Sequence, residues 1–94
     1  MITRIVKMTI QANNIQDFEN IFYDSESLIL AFKGCKSVKL LKDLNNECVL
    51  FTLSLWNSEE DLNAYRKSSL FITTWSRVKP LFAQKAEAWS LSSC

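Results

Sequence analysis

The stretch CKSVKLLKDLNNECVLFTLSLW, Cys35 to Trp56, decides the fold. It reads as two strands separated by polar residues around Asn45-Asn46. Asparagine tolerates positive φ, so these two residues suit the centre of a tight hairpin turn. A turn centred there pairs Leu44 with Glu47, Leu40 with Phe51 and Val38 with Leu53. One face of the hairpin is then strongly apolar. The other carries Ser37, Lys39, Leu41, Leu50, Thr52 and Ser54. The second strand is apolar on both sides: Val49, Phe51, Leu53 and Leu55 point one way, Leu50 and Trp56 the other.

Working outward, MITRIVKMTI at the N-terminus alternates as a strand should. Ile2, Arg4, Val6, Met8 and Ile10 share one face; Thr3, Ile5, Lys7 and Thr9 share the other. Asn14 is placed to cap a helix in which Ile15, Phe18, Ile21, Phe22, Ser25, Leu28, Ile29 and Phe32 follow helical spacing. Gly34, the only glycine, sits where a left-handed residue ends a helix. After the hairpin, Ser58 suits a helix N-cap. Ser68-Ser69 marks a bend or a restart, and Pro80 a kink or an end. EAWSL, from Glu87, is a short last strand. The order β-α-β-β-α-β is the ferredoxin-like α+β arrangement, an antiparallel sheet with helices on one face. The second sheet face is apolar and left uncovered. We therefore expect a homodimer that packs two sheets face to face, a dimeric α/β barrel, with a pocket between sheet and helices in each subunit.

The chain of 94 residues suits one domain, residues 1–94. A net charge of +1 without a basic cluster argues against nucleic acid. No apolar run approaches the roughly 20 residues of a membrane span. The three cysteines form no C-x-x-C pair and the chain has no histidine, so a metal site is not expected. Unpaired thiols, and an N-terminus without a signal-peptide core, point to a reducing, cytoplasmic setting. Without histidine there is no Ser-His-Asp or Cys-His pair. With one glycine there is no Gly-rich phosphate loop.

The stretch AYRKSSLFITTW, Ala64 to Trp75, presents Tyr65, Phe71 and Trp75 to one side. Such rings suit either a helix-to-sheet core or the wall of a pocket for a planar ligand. Arg4 shares its strand face with Val6 and Met8. It is either a snorkelling surface arginine or a partner for a phenolate or carboxylate at the pocket rim. Glu59, Glu60 and Asp61 fall in a first helical turn, where negative charge is favoured without any catalytic role. Trp56 and Trp89 read as packing residues.

The opening MITRIVKMTI, the pattern W-x-S-x-E-x-L-x-A-Y-x-x-S-x-x-F from Trp56 to Phe71, and the closing KAEAWSL together resemble the antibiotic biosynthesis monooxygenase domain family. The resemblance covers essentially the whole chain and implies a dimeric α+β barrel. It also implies one of several chemistries. Some members oxygenate anthrones and quinols without metal or flavin, and others degrade haem. The haem-degrading branch uses an Asn, a Trp and a His. Carried over, these fall near Val6, on Tyr65 and on Trp75, and none matches. The reading that follows is a cofactor-independent monooxygenase of a small electron-rich aromatic, quinol or anthrone. Its pocket candidates are Arg4, Val6, Phe22, Tyr65, Phe71 and Trp75, with no cofactor and no identifiable general base. The alternative is a non-enzymatic small-molecule-binding or stress-related protein on the same barrel.

Overall fold

A computed structural model describes residues 1–94. Strand β1 (Ile2–Thr9) leads through a short 3₁₀ turn (Ala12–Asn14) into helix α1 (Ile15–Leu30). Strands β2 (Cys35–Lys42) and β3 (Val49–Trp56) follow. Helices α2 (Glu59–Arg66) and α3 (Ser69–Val78), a 3₁₀ turn (Lys79–Leu81) and strand β4 (Glu87–Ser92) complete the chain. The sheet order is β2-β3-β1-β4, antiparallel throughout. This is the expected ferredoxin-like α+β fold, with the second helix divided in two. No helix is long and apolar enough to cross a membrane.

The division falls at Ser68-Ser69, and Ser68 causes it. Its hydroxyl donates to the Tyr65 carbonyl (2.6 Å) and accepts from the Phe71 amide (3.1 Å). One side chain thus closes α2 and caps α3. Ser58 caps α2 in the same way, accepting from the Asp61 amide. Helix α3 stops at Val78, ahead of Pro80. Gly34 ends the α1 connection at φ +87°, and a Cβ there would collide with the Asp61 side chain, so glycine is required twice over.

Two local expectations fail. Asn14 makes no side-chain cap and instead donates to the Gln11 side chain, because the 3₁₀ turn already supplies the turn before α1. The hairpin is also not a two-residue turn at Asn45-Asn46. No residue other than Gly34 has positive φ, and the ladder pairs Leu40 with Thr52 and Val38 with Ser54. The connection spans residues 43–48. Asp43 and Asn46 side chains hold it by accepting from the Asn45 and Cys48 amides.

The register shift reassigns the faces, since paired residues share a side of the sheet. Towards the helices lie the rows Val38–Ser54–Arg4–Ser90 and Leu40–Thr52–Val6–Ala88. Away from them lie Ser37–Leu55–Thr3–Leu91, Lys39–Leu53–Ile5–Trp89 and Leu41–Phe51–Lys7–Glu87. The core lies between sheet and helices, around Met8, Ile10, Phe18, Leu50 and Val78. Leu28, assigned to the buried stripe of α1, is exposed, and the buried face is Phe18, Phe22, Ser25 and Ile29. Trp89 is half exposed on the outer sheet face rather than packed inside.

Candidate functional site

Between the sheet and the helices the packing leaves a cavity of about 370 Å³. Its floor is the inner face of the sheet. Arg4, Val6 and Met8 come from β1, and Val38 from β2. Thr52, Ser54 and Trp56 come from β3, and Ala86 and Ala88 from the β4 end. Its roof is helical. Phe18, Phe22, Ser25 and Ile29 project from α1, while Leu62, Tyr65 and Arg66 project from α2. Phe71, Thr74, Trp75 and Val78 project from α3. Small alanines opposite large rings leave the space open. All six candidates, Arg4, Val6, Phe22, Tyr65, Phe71 and Trp75, line this one cavity.

The rings form a continuous chain along one wall. Trp56, fully buried, stacks on Tyr65 with centroids 4.9 Å apart. Tyr65 meets Phe32 and Phe71 edge-on at 5.4 and 5.3 Å. Phe71 stacks on Trp75 at 5.8 Å with planes 10° apart, and Trp75 meets Phe82 edge-on at 5.4 Å. Each ring except the terminal Phe82 therefore contacts at least two others. Trp56, Tyr65, Phe71 and Trp75 bound the open space, and Phe32 and Phe82 contact them without lining it. Trp75 lies in the wall rather than across the cavity.

Among the polar groups on the wall, Ser25, Ser54, Trp56 and Arg4 are engaged with neighbours, while Thr52, Tyr65, Arg66 and Thr74 make no side-chain hydrogen bond. The Ser25 hydroxyl donates to the Ile21 carbonyl (2.9 Å), and Ser54 Oγ accepts from Trp56 Nε1 (2.9 Å). Arg4 Nη1 donates to Ser90 Oγ (2.8 Å), its row partner on β4. Partial burial lowers the Arg4 pKa from its usual value, and the nearby charge of Arg66 lowers it further. Burial, then Cys35, pushes the Tyr65 phenol up to about 12. Tyr65 is accordingly a neutral hydrogen-bond donor at physiological pH and no base. Burial likewise raises the Cys35 thiol. The wall has no histidine, thiol or carboxylate, and its only charged groups are Arg4 and Arg66.

Arg66 is the site residue that sequence reasoning passed over. Its signal was present: it follows Tyr65 and stands four residues after Leu62, so it shares that residue's inward helical face. Thr52 and Thr74 were also missed as wall residues, because the hairpin register and the helix restart decide where they point.

The model of the family described as antibiotic biosynthesis monooxygenase matches residues 1–75. No curated protein matches the chain by sequence. Among solved structures, a Caulobacter crescentus protein provisionally named an antibiotic biosynthesis monooxygenase superposes with a TM-score of 0.92 at 20% identity. The match covers 99% of this chain and 89% of that one. A conserved Methanosarcina mazei protein gives 0.90 at 21% identity over 97% and 91% of the two chains. A Nitrosomonas europaea protein with the same provisional name gives 0.91 at 12% identity over 99% and 98%. At these identities the likeness is one of fold.

Proposed function

The chain belongs to the antibiotic biosynthesis monooxygenase family, and from that premise and the cavity's chemistry we propose a cofactor-independent monooxygenase of a small electron-rich aromatic, of quinol or anthrone type. The observation that carries this reading is the open, ring-walled cavity with Arg4 and Tyr65 on its surface. In an anthrone-type reaction the substrate supplies the electrons. A methylene carbon gains one oxygen atom of dioxygen, and the other leaves as water with the two methylene hydrogens. The carbanionic or phenolate form of the substrate is the one that reacts. The positive field of Arg4 would favour that form, and the Tyr65 hydroxyl would donate to a ring oxygen. Phe22, Phe71, Trp75 and Val6 would enclose the rings and keep water away. The residues of the wall supply no general base, so the substrate must be acidic enough to ionise against Arg4.

That missing base also favours a second reading, a small-molecule-binding protein without turnover. Oxygen consumption by metal-free protein with reduced naphthoquinols and anthrones separates the two. Turnover above the spontaneous rate, reduced by Tyr65→Phe or Trp75→Ala, is the expected result. A rate equal to the spontaneous one across the panel transfers the case to the binding protein.

The same proposal includes its setting. Residues 1–94 act as one domain, and two copies associate through their outer sheet faces. The three unpaired thiols, Cys35, Cys48 and Cys94, suit a reducing cytoplasm.

A further inference from the structure

Two arginines without a counter-charge line the cavity. Arg4 is half-buried and Arg66 exposed, so Arg66 stands where the cavity meets solvent. Arg66 is near enough for its charge to oppose that of Arg4. Neither forms an ion pair. The two ion pairs of the protein, Lys7–Glu87 and Lys42–Glu19, involve other residues. A position in the last turn of α2 accounts for a cation at Arg66 through the helix dipole. It accounts for nothing at Arg4, which stands on β1.

Arg4 is partly desolvated and carries the opposing charge of Arg66, and an anion beside both removes that conflict. The rest of the wall narrows the anion's chemistry. With no histidine in the chain, no carboxylate on the wall and Tyr65 protonated, the site cannot create an anion by removing a proton. The group that docks against the arginines must therefore arrive ionised. Among the groups an aromatic molecule can carry ionised at neutral pH, the carboxylate has two oxygens that match the guanidinium fork.

We propose that Arg4 and Arg66 form a carboxylate clamp at the mouth of the cavity, and that the ligand is an aromatic acid whose rings enter along Phe71 and Trp75. This rests on the reading of the cavity as a ligand site and adds the ligand's charge class. The clamp is a specificity device at the solvent end. The neutral donor Tyr65 faces the ring portion.

Calorimetric titration with 2-naphthoate and its neutral isostere 2-naphthamide tests the clamp. The acid should bind at least about tenfold more tightly than the amide, the scale of a charge-assisted hydrogen-bond pair. High salt should erode that preference and leave amide binding alone. Arg66→Gln and Arg4→Gln should each lower the acid's affinity far more than the amide's, and the residual amide binding also reports that the variants are folded. Arg4→Lys keeps the charge without the fork and should retain only part of the preference. Equal binding of acid and amide by the wild type, or variants that weaken both alike, overturns the clamp and leaves a neutral aromatic site. Binding of neither overturns the ligand-site reading and the clamp together.

Discussion

Tyr65 stands at the junction of everything the cavity does. It stacks on the fully buried Trp56, meets Phe71 edge-on, and precedes Arg66 at the end of α2. Its ring is structural, while its hydroxyl belongs to the site. The raised phenol pKa makes this testable through linkage. In the unfolded chain the phenol ionises near 10.0, and in the folded protein near 12. Between those values the native state holds a proton that the unfolded state has lost. The stabilisation is therefore complete below pH 10.0 and lost as pH rises through about 12. The full effect is about 3 kcal/mol, from the size of the shift. Urea denaturation of the wild type should show a steep loss of stability over that window, and Tyr65→Phe should flatten it. A wild type and a variant with parallel alkaline profiles would show that the hydroxyl sits in water. Near neutral pH the same shift predicts no titration of Tyr65, so any activity profile there belongs to the substrate.

At the scale of elements, the hairpin between β2 and β3 fixes which side chains reach the cavity. Its six-residue connection leaves every asparagine at negative φ. Asn46 acts through its side chain, which accepts from the Cys48 amide at 3.0 Å. Asn46→Gly creates Asn-Gly, the best doublet for a two-residue type I′ turn. It should nonetheless lower stability by roughly 0.5–1 kcal/mol, since it removes a hydrogen bond and adds chain entropy. Thermal denaturation reads the sign, and a stabilised variant would favour the tight turn. This is also where sequence reading reached its limit. Strand existence was legible in the alternation of MITRIVKMTI and in the apolar run of β3. The helix starts were legible in Ser58 and Ser68, and the stop at Gly34 in its being the only glycine. Register was not, because Asn-Asn serves a positive-φ turn and a side-chain-bonded loop equally well. A slip of one residue exchanges every face of β2 relative to β3. The candidates line one cavity despite that error because Arg4 and Val6 lie on β1, and Phe22, Tyr65, Phe71 and Trp75 on helices. The residues it concealed, Val38 and Thr52, lie on the hairpin itself.

For the whole molecule the decisive feature is the sheet face that the helices leave bare. Its central row is Lys39–Leu53–Ile5–Trp89, flanked by Leu55 and Leu91 on one side and by Leu41 and Phe51 on the other. Leu41, Trp89 and Leu91 are 44%, 43% and 47% exposed, too much apolar surface in one place for an unpartnered sheet. Only 12 of 94 residues are buried, so the single chain encloses a small core and stands to gain from association. The occupant that best fits a flat apolar face bordered by Lys7, Lys39 and Glu87 is a second copy, because a two-fold axis can set lysine against glutamate around an apolar centre. Sedimentation equilibrium should accordingly give twice the chain mass of 10.9 kDa at micromolar concentration. Leu53→Lys places a charge in the middle of that row, where no partner group can neutralise it without leaving the apolar centre. It should yield monomers, because an unpaired buried charge costs several kcal/mol. The inner face is untouched by this change, so the monomer should keep the cavity and its binding of 2-naphthamide. A wild type that sediments as a monomer would remove the barrel and leave the outer face without an assigned role. A variant that loses dimerisation and ligand binding together would instead make the cavity depend on the second copy.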